Sequence, residues 1–265
     1  MENNTVNLGA FIAHLDTLDY SDKTKVSYID AIKDYLKRGF STISTEEEWA
    51  YRNTLVAEGK KGSTINTRLH GLNAYNRWLG LPNIKEIRIN EDPFQPNGME
   101  VSDYQRLILN LLEDGKYEWY VTIKLLASTG MRISEALMVT FGDLRKGVCT
   151  IYGKGRKPRT VFFSPNLKET LFFYIKDKAD GEKVIPFRQS SIRSALARFK
   201  RRYSLSCLSS PHEFRRYFAR QMYDATHDAS LIKGLLGHAD LKTTSKYIKK
   251  TQKQALETYS RVQNW

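Results

Sequence analysis

Cysteine is nearly absent from this chain of 265 residues: Cys149 and Cys207 are the only two, and they sit in unrelated contexts. A disulfide framework and a cysteine-built zinc site are both excluded as organising devices, and the usage suits a reducing cytoplasm. No apolar run approaches the roughly 20 residues needed to span a bilayer, so no membrane partner is expected. The opening stretch, MENNTVNLGAFIAHLD, has neither a basic leading segment nor a long apolar one, so no secretory leader is expected either. There is no phosphate-binding G-x-x-x-x-G-K-S/T loop, no HExxH pair and no EF-hand loop. The five histidines (His14, His70, His212, His227, His238) show no short metal-ligand spacing. Internal repeats and low-complexity segments are missing as well.

Negative charge is scarce over the second half. The net charge is +13, yet residues 1–150 carry −2 while residues 151–265 carry +15. Charge of one sign packed into under half of the chain points to a polyanionic partner. An anionic membrane surface is the rival reading, but no long basic amphipathic helix with an aromatic-rich apolar face supports it.

What is present is helical period. LGAFIAHLDTL places Leu8, Phe11, Leu15 and Leu18 at spacings of three and four, and KVSYIDAIKDYLKRGF puts Val26, Ile29, Ile32, Tyr35 and Leu36 on one face. STEEEWAYRNTLVAEG opens with a Ser/Thr cap and acids in its first turn, as a helix N-terminus prefers. A fourth helix follows in KKGSTINTRLHGLNAYNRWLGL, capped by Ser63 or Thr64 and stopped at Gly80 before Pro82. These four predict a small α domain over residues 1–90. Residues 91–98, EDPFQPNG, hold two prolines and no helical period, as an interdomain linker does. A second domain, 99–265, begins with helical VSDYQRLILNLLEDG and YEWYVTIKLLASTG. GVCTIYGKGRKPRTVFFS then pairs two β-branched or aromatic runs across a Gly-Lys-Gly-Arg-Lys turn, a hairpin signature, and the pattern returns to helices after Pro165. The fold class expected is mainly α with one small antiparallel β-hairpin.

Within and just before the basic region lies a set of polar residues suited to phosphoryl chemistry. Arg132 lies in STGMRISEAL, after a glycine that stops the preceding helix and three residues before Glu135, which can hold its guanidinium. Lys154 sits between two glycines at the hairpin tip, beside Arg156 and Lys157. His212 and Arg215 occur as HEFR, on one helical face by i, i+3, with Pro211 at the first turn. Arg215 and its neighbour Arg216 are two cations, either of which suits a phosphate. His238 follows Gly237 at a helix end, where it serves equally to satisfy the last carbonyls or to face a ligand. Tyr247 follows Thr243-Thr244, which can cap one more helix, within LLGHADLKTTSKYIKK, nine residues after His238. Arginine offers a planar fork for two phosphate oxygens, and a lysine on a turn can protonate a leaving oxygen. A tyrosine hydroxyl, with a free pKa near 10, needs cations around it to become a nucleophile. A phosphotyrosine ester would conserve the energy of the broken phosphodiester, so no ATP is needed.

These stretches resemble, in the right order, the boxes of the tyrosine recombinases, or phage-type integrases. TGMRISEAL is similar to the first arginine box, GKGRKPR to the hairpin lysine, HEFRR to the H-x-x-R box and LLGHADLKTTSKYIK to the last box. The resemblance implies a helical core-binding domain and a mixed α/β catalytic domain of the DNA breaking-rejoining type, clamped around duplex DNA. It implies Arg132, Lys154, His212, Arg215, His238 and Tyr247 as the catalytic set, with Glu135 in support and no cofactor or metal. Lys60, Lys61 and Arg68 at the start of the fourth helix become phosphate contacts, or else a solvated basic face; Arg156 and Lys157 join them from the hairpin. The family assembles as a homotetramer on short inverted-repeat sites, in some cases with an accessory DNA-bending protein. Residues 251–265 would form a C-terminal helix, with Leu256, Tyr259, Val262 and Trp265 on one apolar face. That helix either docks into a neighbouring protomer or packs in cis. With core-binding helices starting near residue 8, a short form without an arm-binding domain is expected, cytoplasmic and encoded by a bacterium, an archaeon or a phage. The rival activities are relaxation of DNA in the manner of a type IB topoisomerase, and DNA-binding regulation without catalysis.

Overall fold

Side-chain caps decide where the first helices begin. In the computed structural model, which describes residues 5–87, 98–152, 158–208, 210–237, 244–245 and 256, α1 (Leu8–Asp16) starts where the Asn7 side chain accepts the Ala10 N–H. Ser21 does the same for Thr24 at α2 (Asp22–Lys37), and Ser44 for Glu47 at α3 (Thr45–Ala57). Each satisfies one of the orphan donors of a first helical turn. The α4 helix (Gly62–Leu79) departs from the sequence expectation. Its N-cap is Lys61, without a side-chain bond, because Thr64 and Ile65 already donate to the Lys61 carbonyl and so lie inside the first turn. Ser63 and Thr64 are therefore helix residues, not caps. Gly80, in the left-handed conformation, ends α4.

The chain divides into two compact units, 1–91 and 92–265. In the first, Phe11, Ile32, Tyr35, Tyr51, Leu69, Leu72 and Tyr75 form the core. One polar row of α4 is also inside. Asn66 exchanges two hydrogen bonds with the Ile87 backbone, at 3.0 and 2.9 Å, and Asn73 exchanges two with Ile84, at 3.1 and 2.8 Å. Asn76 donates to Glu48 at 2.7 Å and to the Pro82 carbonyl at 3.0 Å. The three amides thus satisfy the backbone of the extended segment after Gly80, which has no ladder of its own.

The second unit is built around α6 (Tyr117–Thr129), which buries Val121, Ile123, Leu125 and Leu126. It packs on α5 (Val101–Glu113), on α9 (Pro165–Ile175) and on α11 (His212–Thr226). Between α6 and α9 come two short helices, α7 (Ile133–Ala136) and α8 (Phe141–Lys146), and the antiparallel strands β1 (Val148–Tyr152) and β2 (Pro158–Phe162). The register pairs Val148 with Phe162 and Tyr152 with Pro158, so Cys149, Ile151 and Val161 face inward. After α9 the chain is not helical until α10 (Gln189–Arg202). Lys183 there forms a bridge with Thr140, and Arg145 of α8 donates to the Ile175 carbonyl at the end of α9, at 2.7 Å. The next helix is α12 (Ala229–Leu236), capped by Asp228 and stopped by Gly237. Of the 91–98 linker only Gly98 lies within the described residues, and of the C-terminal helix only Leu256. No helix among the described residues is long and apolar enough to cross a membrane.

The tightest helix contact predicts a lesion. A Cβ at Gly71 of α4 would stand 2.3 Å from the Ala31 Cβ of α2 and 3.3 Å from the Tyr28 carbonyl. Gly71→Ala should therefore destabilise the first unit, by about 1–3 kcal/mol, despite alanine's better helix propensity. Urea denaturation of the full chain measures the loss.

Candidate active site

The site grows from three helix ends. Gly130 stops α6 in the left-handed conformation, and two residues later Arg132 leaves the turn in extended conformation as the N-cap of α7. Glu135, three residues into that short helix, reaches back. Its Oε2 accepts the Arg132 N–H at 2.7 Å and its Oε1 accepts Arg132 Nη1 at 2.8 Å. The fork of Arg132 is thus aimed by its own helix, while its side chain stays 41% exposed. Glu135 is 8% exposed at the side chain. Burial acts to raise its pKa, but the Arg132 N–H, the Arg132 guanidinium and the charge of Arg159 outweigh that and hold it below the ordinary carboxylate value.

Arg215 comes from α11 and is 1% exposed. Its Nη1 donates to the Gly130 carbonyl at 2.7 Å and its Nη2 to the Leu236 carbonyl at 2.7 Å. These are the last carbonyls of α6 and α12, groups that a helix leaves without internal partners. Arg216 is not its equivalent. It lies at the surface and pairs with Glu213 at 3.5 Å, so the two adjacent cations have different duties.

His212 opens α11 and its ring is exposed to solvent, facing a pocket of about 270 Å³ that Arg132, Ser134, Arg193 and Ser210 also line. The surrounding protein still desolvates the imidazole. Together with the charges of Arg216, Arg215 and Arg132, this pushes its pKa below the ordinary histidine value. At neutral pH the ring is uncharged and able to accept a proton.

Of the residues singled out from sequence, Arg132, Glu135, His212 and Arg215 are brought together. Lys60, Lys61 and Arg68 lie in the other unit. Lys60 and Lys61 are exposed there, Lys60 lying 3.7 Å from Glu58, and Arg68 is half-buried. Lys154, Arg156, Lys157, His238 and Tyr247 lie outside the described residues, as does Thr243; Thr244 is buried and helical. Two cations of the site escaped the sequence reading. Arg193 lines the pocket from α10. Arg159 of β2 lies 2.8 Å from Glu135 and is 9% exposed at the side chain. Strand alternation could have found it, since Arg159 is two residues before the inward Val161 and so shares its face. Among the described residues no group of His, Cys, Asp or Glu is arranged to hold a metal ion.

Two outcomes follow for measurement. Glu135→Gln leaves Arg159 buried without its counter-charge and should cost about 3 kcal/mol in urea denaturation. Because the folded pKa of Glu135 is depressed below the ordinary glutamate value of 4.5, this contribution is complete above that pH and is lost as pH falls through the folded value. The gap between wild type and Glu135→Gln should therefore narrow in acid. By NMR, the His212 imidazole should titrate below 6.5, and Arg132→Ala should move that midpoint upward by removing a neighbouring cation.

Residues 98–254, more than half of the chain, match the sequence model of the phage integrase family. Tyrosine recombinase XerC of Lactobacillus leichmannii is 29% identical over 89% of this chain and 92% of its own. Among solved structures, a lambda integrase dimer bound to a COC' core site superposes with a TM-score of 0.72 at 20% identity, covering 99% of this chain and 80% of that one. A lambda integrase tetramer bound to a Holliday junction does so with a TM-score of 0.71 at 20% identity, covering 92% and 78%. Arg132, Arg193 and His212, which line one pocket, sit inside the matched stretch, and the chain belongs to the phage integrase family, the tyrosine recombinases.

Proposed function

We propose that this chain exchanges strands between two short duplex DNA sites through a 3′-phosphotyrosyl intermediate. One observation supports the reading above others. Arg132 and Arg193 line one pocket with His212, and Arg215, eighty-three residues from Arg132 in sequence, bonds the Gly130 carbonyl two residues before it. A cluster of positive charge around one pocket, maintained against its own repulsion, suits a site that receives a phosphodiester.

In the proposed reaction the Tyr247 hydroxyl attacks the scissile phosphorus and His212 assists removal of its proton. The bond to the 5′ oxygen breaks, and Lys154 protonates that oxygen as it leaves. Arg132 and Arg215 stabilise charge on the nonbridging oxygens, the former aimed by Glu135, and His238 adds a hydrogen bond. A 5′ hydroxyl of the partner strand then attacks the phosphotyrosine and releases the tyrosine. Donors fixed in advance around the developing charge lower the barrier more than any other device open to such a site. Lys60, Lys61, Arg68, Arg156 and Lys157 would contact phosphates of the duplex. The assembly proposed is a homotetramer on DNA, by analogy with the lambda integrase tetramer bound to a Holliday junction; the C-terminal helix 251–265 would join its protomers.

A duplex with a nick beside the cleavage point traps the covalent intermediate. The wild type should form a protein–DNA adduct stable to denaturant, Tyr247→Phe should form none, and Arg132→Ala should form it about 100-fold more slowly or worse. An adduct that persists in Tyr247→Phe would overturn the nucleophile assignment.

A further inference from the structure

Arg159 touches both halves of the site without lining the pocket. It stands on β2 opposite Ile151, on the inner face of the hairpin. One arm of its fork, Nη2, donates to Glu135 Oε2 at 2.8 Å, the same oxygen that takes the Arg132 N–H. The other arm, Nη1, donates to the carbonyl of Leu235 near the end of α12. Between them the stem lies against the backbone of Gly237: a Cβ there would stand 2.4 Å from Arg159 Cδ and 3.0 Å from Nε. Gly237 also has a φ of +66°, so the turn leading into residue 238 is shaped by the conformation of a glycine and by the arginine pressed onto it.

We infer that Arg159 is a positioning residue for strand cleavage: it locks the orientation of Arg132 through Glu135 and, with the same side chain, holds the α12 turn that carries the chain into His238. This rests on the recombinase reading above. A buried ion pair contributes little net stability compared with an apolar side chain of the same volume, so stability alone gives no reason for a charge here. Orientation does. Glu135 is shared by two guanidinium groups, and rotation of its carboxylate would swing the exposed Arg132 fork. With Arg159 bonded to Glu135 and to Leu235 at once, the carboxylate cannot rotate without breaking a contact on the far side of the site. The hairpin, α7 and α12 thereby move as one piece.

The test uses full-length protein and the nicked duplex in single turnover. Arg159→Met fills the volume and leaves Glu135 paired with Arg132. Its cleavage rate should fall about 10- to 100-fold, with duplex affinity and thermal midpoint close to wild type. Arg159→Lys restores the charge but not the fork and should recover only part of the rate. Glu135→Gln combined with Arg159→Met should be no slower than the worse single variant, because both break one linkage. Hydrogen exchange at the amides of Leu235–Gly237 should quicken in Arg159→Met. If Arg159→Met cleaves at the wild-type rate, or loses rate only in step with duplex affinity, the inference is overturned; if it does not fold, Arg159→Lys at the wild-type rate overturns it. A wild type that forms no adduct defeats the recombinase reading, and exchange at Leu235–Gly237 then decides the linkage by itself.

Discussion

A guanidinium held under two helix ends organises the second unit. Arg215 is buried, and a buried charge is costly unless its hydrogen bonds are met. Nη1 and Nη2 meet the Gly130 and Leu236 carbonyls, which carry the partial negative charge of two helix C-termini. The arrangement satisfies both sides at once: the helices α6 and α12 need donors beyond their last turns, and the arginine needs acceptors away from water. Its consequence is geometric. The turn after α6 delivers Arg132, and α11 itself begins with His212. One residue therefore fixes two approaches to the pocket, and any movement of the turns after α6 and α12 must first break bonds to a buried cation.

The same logic recurs with weaker means in the first unit, where charge is replaced by amides. Asn66, Asn73 and Asn76 hold the extended segment 81–87 against α4 through its own backbone groups. In the first unit a row of amides secures chain without regular structure, in the second one arginine secures two helix ends, and apolar burial supplies the bulk of the stability around both.

Much of this was legible from residue patterns, and the limits have physical causes. Ser44 marks a helix start because a cap is a local bond, made within three residues. The hairpin and the Arg132–Glu135 pair are local for the same reason. Ser63 and Thr64 misled because Lys61 starts α4 with backbone bonds alone. The buried asparagines of α4 carry no local signal, because only contact with a segment up to twenty-one residues away draws them inside. Arg159 was missed because its partners lie 24 and 76 residues away. Arg215 and Arg216 could not be ranked in sequence because the difference between them is burial, which depends on α6 and α12.

Burial also changes what the charge count of the second half means. A polyanion carries condensed counterions, and a protein cation sets one free only where it reaches a phosphate. Arg159 instead turns both arms of its fork to a carboxylate and a carbonyl inside the protein. The ionic-strength sensitivity of polyanion association should therefore be shallower than the +15 formally carried by residues 151–265, with the inward arginines setting shape and the outward ones setting reach.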